Sequence, residues 1–219
     1  MILSFLATPL FIVLFLILPA GTWLWDKGWL FVGVFCAAMV LGSLYLWRVN
    51  PDILAAQINR HQGTERWDKI LLGFFIVAWI AIMPVAALDD GRFEWSAVPW
   101  WICALGYCLF LVGTGIVPWA QAVNKFFEPT VRIQGHRGQQ VIDSGPYAVV
   151  RHPGYVGGVL FSLGIALALG SLWALIPAGV SSLVLVLRTK WEDDMLQEKL
   201  SGYKEYAQRV RFRLIPGVW

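Results

Sequence analysis

Two clusters in the chain hold the side chains most able to do chemistry. The first is Ser144-Gly145-Pro146-Tyr147-Ala148-Val149-Val150-Arg151-His152-Pro153-Gly154-Tyr155-Val156-Gly157-Gly158. Pro146 and Pro153 fix turns. Pro153 also suits the first turn of a helix, whose free N–H groups make a ready anion site. Gly154, Gly157 and Gly158 let a backbone or a flat ligand come close, and Tyr147, Arg151, His152 and Tyr155 surround that spot with donors and aromatic faces. The second cluster is Arg188-Thr189-Lys190-Trp191-Glu192-Asp193-Asp194. Arg188 and Glu192, four apart, share a helix face. An arginine placed there holds a carboxylate by a two-pronged hydrogen bond, and three successive acids hold an ammonium group. Taken alone, each cluster has a plainer account. The first reads as a loop at a membrane surface, with Arg151 and the tyrosines as anchors. The second reads as a solvated helix start, where an Arg188–Glu192 pair is worth only ~0.3–0.5 kcal/mol.

The elements that carry these clusters are apolar. Of the 219 residues, 58% are hydrophobic and only 14% charged, with a mean hydropathy of +0.63. A soluble domain carries about 25% charged residues, so the chain reads as an all-α integral membrane protein. A span needs about 20 apolar residues. Four stretches qualify: about Ile2 to Ala20, Gly28 to Trp47, Lys69 to Leu88 and Val98 to Ala120. The first is read as a retained span rather than a signal peptide, because it has no basic leader or small-residue cleavage site. A fifth stretch, Tyr155 to Leu187, is broken at Gly170-Ser171 and folds back as a helical hairpin of two short halves. Between the spans lie a polar segment, 48–68, whose Ile53, Leu54 and Ile58 suit an interfacial amphipathic helix, an acidic loop, 89–94, and a polar stretch, 121–151. The tail from Arg188 is helical in pattern until Pro216 and Gly217 stop it. Residues 1–119 therefore form a spanning region, and 120–219 carry the chemistry.

Charge orients the arrangement. Fifteen of the seventeen Lys and Arg fall after span two, after span four or in the tail, and only Lys27 and Arg92 lie on the other side. The positive-inside rule makes the first face cytoplasmic. Trp23, Trp25 and Trp29, with Trp95, Trp100 and Trp101, suit an aromatic belt at the opposite interface. A net charge of +3 spread beside apolar spans is no nucleic-acid signature. Cys36, Cys103 and Cys108 sit in apolar stretches and read as small helix fillers. The two ends of the hairpin lie side by side, which gathers Arg188, His152, Tyr147, Tyr155 and Glu192 at the membrane edge. Polar groups at that depth are costly and mark a candidate site.

At these residues the sequence resembles the isoprenylcysteine carboxyl methyltransferase family and its relatives, the membrane phospholipid methyltransferases. The marks are Gly145-Pro146-Tyr147, then Arg151-His152-Pro153-Gly154-Tyr155-Val156-Gly157, then Arg188, Glu192-Asp193, Leu196, the Tyr203/Tyr206 pair and Leu214-Ile215-Pro216. They cover about residues 120–219. The resemblance implies binding of S-adenosyl-L-methionine from the cytosol and methylation of a lipid-borne group. By position it assigns the cofactor to Tyr147, His152, Pro153, Gly154, Tyr155 and Glu192, with Gln134, Gln139, Gln140, Val141 and Ile142 upstream. It places Arg188 at the substrate carboxylate, so that Arg188 and Glu192 are the catalytic pair, with no metal. Where the family has Glu-Glu, this chain has Glu192-Asp193.

Methyl transfer from a sulfonium is an in-line displacement that needs alignment and a dry site. A carboxylate acceptor needs no base, whereas an amine or thiol does; His152 and Glu192 are the candidates, and both are committed to the cofactor. The expected partners are a lipophilic or lipid-linked substrate and membrane lipids, with no nucleic acid and no obligate protein partner. The expected setting is a prokaryotic inner membrane. Two alternatives stand. One is a sterol-reductase-like oxidoreductase using NADPH, which shares an Arg-His-x-x-Tyr-x-Gly stretch. The other is a non-enzymatic polytopic protein, which would carry polar residues in mid-span.

Overall fold

The computed structural model describes residues 2–51, 53 and 63–219, with the side chains of 2–9, 12 and 136 set aside. The described chain is helical: α1 (Ile2–Ala20), α2 (Asp26–Val49), α3 (Arg66–Ala86), α4 (Trp100–Val123), α5 (Pro153–Ala168), α6 (Leu175–Lys199) and the short α7 (Tyr203–Arg209). Three stretches are long and apolar enough to cross a membrane, Asp26–Val49, Arg66–Phe93 and Trp100–Val123; α5 is a shorter apolar helix. Large apolar side chains such as Leu41, Phe74, Val77 and Leu111 stay exposed along these helices, as a lipid-facing surface requires. The expected interfacial helix around Leu54 and Ile58 lies outside the described residues. Ile53 is buried.

Small residues set the closest approach. A Cβ on Gly106 of α4 would stand 2.2 Å from the Ala168 backbone nitrogen, and one on Gly164 of α5 2.4 Å from that of Phe110. The two helices therefore meet backbone to backbone, the way membrane helices associate where lipid gives no hydrophobic drive. Around that seam Phe31, Phe35, Phe110 and Phe161 interlock at 5.1–6.1 Å between ring centres.

Four expectations are corrected. The acidic loop 89–94 is not a loop: α3 continues through a π-helical turn, Ala87–Phe93. Its two aspartates turn inward, while Glu94 is exposed. Asp89 accepts hydrogen bonds from Ser96 and Ser171, and Asp90 accepts from the Trp25 indole and pairs with Lys27 at 2.6 Å. Trp25 is consequently buried and belongs to no interfacial belt, while Trp23, Trp29, Trp95, Trp100 and Trp101 remain exposed. The hairpin halves are also unequal. α5 ends at Ala168 and the chain turns at Gly170 (φ +75°), but α6 runs unbroken for 25 residues, with Pro177 in its first turn. Arg188 and Glu192 therefore sit inside a continuous helix, not at a helix start. The tail is helical only over α7, set off by Gly202 at φ +81°.

Candidate functional site

The mouth of the hairpin is fixed by the tail. The backbone N–H groups of Arg151 and His152 donate to Phe212 O and Arg213 O at 2.9 and 3.0 Å, and His152 caps α5 with Pro153 in its first turn. The Arg151 guanidinium binds Val210 O and Arg211 O and clasps Asp193 on α6. Asp193 is fully buried and also meets His152 Nε2 (3.2 Å), Gln197, the Tyr203 hydroxyl and Arg213. It lies beyond the apolar stretch that ends at Leu187. Burial alone pushes its pKa up; the bonds from His152, Arg151 and Arg213 outweigh that and hold it well below the usual carboxylate range. The acidic run is thus divided. Asp193 is committed to structure, Asp194 stands 3.5 Å from Arg213 in the open, and Glu192 alone of the three faces the cleft.

That cleft gathers Gln134, Gln139, Gln140, Val141, Ile142, Tyr147, His152, Gly154, Tyr155 and Glu192 from three separate segments. Of the positions the resemblance assigns to the cofactor, Pro153 alone is not in its wall; it is buried in the first turn of α5. Gln134 is spent on shaping the loop. Its amide donates to Phe126 O, its carbonyl oxygen accepts from Arg137, and its backbone N–H donates to Gln139 Oε1. The Tyr155 hydroxyl donates to Glu192 Oε2 through a short contact, and its ring stacks on His152 at 5.7 Å. Tyr147 is held by Asn124, which donates to its hydroxyl, and by Tyr206, whose hydroxyl donates to its carbonyl. Burial pushes the Tyr147 and Tyr206 phenols up, so both stay neutral.

Arg188 departs from expectation. Glu192 is not its partner. Its Nε lies 2.6 Å from Asp68 Oδ1, and its Nη2 lies 3.2 Å from Asp68 Oδ2 and 2.5 Å from Pro129 O. The reason is reach: Glu192 is drawn to Tyr155, whereas Asp68, in the first turn of α3, points at the guanidinium and also accepts from the Val131 N–H. Arg188 is not in the cleft wall; its guanidinium carbon lies 5.5 Å from the ring of Tyr155, which is.

Several residues of the site went unseen in the sequence. Phe126, Phe127, Glu128 and Thr130 line the cleft. Glu128 is tied to Arg132 at 2.7 Å, and the Thr130 hydroxyl is buried without a hydrogen-bond partner among the described residues. The Glu128–Arg132 spacing of four was the one available signal. Asp68 offered none, because a lone aspartate in a first turn reads as a helix-dipole residue.

Comparison with known proteins finds methyltransferase relatives. The phospholipid methyltransferase family model matches residues 101–202, from α4 through the hairpin to the end of α6. A probable protein-S-isoprenylcysteine O-methyltransferase of Oryza sativa subsp. indica is 27% identical over 187 residues, 81% of this chain and 92% of the relative. Protein-S-isoprenylcysteine O-methyltransferase B of Arabidopsis thaliana is 27% identical over 118 residues, 51% of this chain and 58% of the relative. A Delta(14)-sterol reductase of Mus musculus is 33% identical over 86 residues, but these are 37% of this chain and 20% of that protein. These likenesses support a membrane methyltransferase of the isoprenylcysteine and phospholipid type.

Proposed function

We propose that this membrane methyltransferase binds S-adenosyl-L-methionine in the cleft, from the cytoplasmic face of a prokaryotic inner membrane, and methylates a carboxylate on a lipophilic, isoprenoid- or lipid-linked substrate. The observation that carries the reading is convergence: ten of the positions matched to cofactor contacts come from three segments and line one cleft. The donor set suits the group. Glu192 offers a carboxylate to a cationic sulfonium or ammonium, and the unpartnered Thr130 hydroxyl offers a buried polar contact. His152 and Tyr155 present stacked ring faces beside Gly154.

When bound, the cofactor supplies a methyl on a sulfonium sulfur; its C–S bond breaks as an O–C bond forms, giving a methyl ester and a neutral thioether with no proton to move. The protein's part is placement. Asp193 locks His152, and the Tyr155 hydroxyl orients Glu192. Arg188 anchors the acceptor from the membrane side of the Tyr155 ring, and Phe126, Phe127 and Val141 make an apolar wall against water. The excess of Lys and Arg on this face supports a cytoplasmic cleft. The relatives named as O-methyltransferases of isoprenylcysteine support an oxygen acceptor with an isoprenoid tail.

Calorimetry in detergent tests the reading. The protein should bind S-adenosyl-L-methionine in the micromolar range or tighter and show no heat with NADPH. NADPH binding without S-adenosyl-L-methionine binding would reverse the reading in favour of the sterol-reductase kinship.

A further inference from the structure

Arg188 has five N–H donors in a planar fork. Three are used inside the protein: Nε on Asp68 Oδ1, and both of Nη2 on Asp68 Oδ2 and Pro129 O. The Nε/Nη2 edge is the one that matches a carboxylate in two parallel bonds, and the chain's own carboxylate fills it. Asp68 is itself fully buried and pinned by the Val131 N–H at 2.8 Å, so it does not drift off that edge. Nη1 makes no hydrogen bond among the described residues.

We infer that Asp68 is a positioning residue that blocks two-pronged binding and leaves Arg188 to hold the acceptor through Nη1 alone. This rests on the proposed carboxylate methylation. The consequence is chemical. A carboxylate chelated by both oxygens has both lone-pair sets drawn into hydrogen bonds, which dulls it as a nucleophile. One held at a single oxygen keeps the other free to attack the methyl carbon. The negative charge of Asp68 also offsets Arg188, so the acceptor carboxylate is held more weakly than by an uncompensated guanidinium.

The probes are N-acetyl-S-farnesylcysteine and its carboxamide, which lacks the carboxylate. Wild-type protein should bind the acid better than the amide and form a base-labile methyl ester on it. If it forms none, the proposed acceptor class and this inference fall together. In Asp68→Ala and Asp68→Asn, the acid should bind about 3- to 10-fold more tightly without cofactor, the amide should bind as before, and kcat should fall about 10-fold. Affinity and KM are read per folded molecule, so partial misfolding of one variant does not imitate a gain. If wild type makes the ester but both variants bind the acid equally or more weakly, Asp68 is only a structural partner of Arg188 and the inference is overturned.

Discussion

Arg151 grips Asp193 by both prongs, Nε at 2.7 Å from Oδ1 and Nη2 at 2.9 Å from Oδ2, across 42 positions of sequence. The pair joins the mouth of α5 to the far end of α6, and Arg213 brings the tail onto the same carboxylate at 2.8 Å. Removing the shared partner leaves the buried Arg151 guanidinium without its counter-charge and Arg213 with Asp194 alone at 3.5 Å, a loss of about 3–5 kcal/mol for a broken buried pair. Asp193→Ala should therefore lower the melting temperature in detergent by several degrees and weaken cofactor binding with it. A variant that melted as wild type while losing activity would move Asp193 from the scaffold into the chemistry.

The same carboxylate gives a pH dependence. Its folded pKa is lowered, so its contribution is complete above the unfolded value of about 3.9 and is lost as pH falls toward the folded value. The stability advantage of wild type over Asp193→Asn should hold steady near neutrality and narrow below about pH 5. Melting curves of both proteins from pH 8 to pH 4 read this directly; a gap that stayed constant into acid would contradict the ionised, paired state.

The sequence disclosed what hydropathy and local chemistry encode. Apolar length marked the spanning stretches, Gly170-Ser171 marked the hairpin turn, and the Arg151–Tyr155 run marked the mouth of the cleft. It concealed the buried acids. Asp68, Asp89 and Asp193 are each fully buried, but in sequence an aspartate reads as solvated, since its burial depends on partners that only the fold supplies. The partner of Asp68 lies 120 positions away and that of Asp89 82. The Arg188–Glu192 spacing was legible and misleading, because a four-residue step permits a pair that a better tertiary partner then takes.

Glu192 and Asp193 are neighbours with opposite commitments, so their variants should separate. Glu192 faces the cleft and, among the described residues, accepts one hydrogen bond, from Tyr155. Glu192→Gln keeps the shape and loses the charge, and should weaken S-adenosyl-L-methionine about 10- to 100-fold with little change in melting temperature, the size expected for a lost charge-assisted contact. Tyr155→Phe should reproduce part of that loss by leaving Glu192 unoriented. Calorimetry paired with thermal melts distinguishes the two; a large drop in stability for Glu192→Gln would place it with the scaffold instead.

Two glycines separate packing from binding in the same way. A Cβ at Gly106 would meet the Ala168 nitrogen at 2.2 Å and the Leu167 carbonyl carbon at 2.5 Å. Backbone cannot step aside, so Gly106→Ala must push α4 from α5 and should destabilise the fold by about 1–3 kcal/mol or more, the usual cost of overpacking. A Cβ at Gly154 would instead meet the Phe127 ring, at 2.7 Å from Cε2 and 3.0 Å from Cζ. That ring can swing, but it lines the cleft, so Gly154→Ala exchanges a packing problem for a binding one. It should melt close to wild type and bind S-adenosyl-L-methionine about 10-fold more weakly, a loss of about 1.4 kcal/mol. Adding Phe127→Leu removes the displaced ring and should restore most of the affinity. If the double variant stays as weak as the single one, the close approach at Gly154 serves the ligand itself rather than the ring beside it.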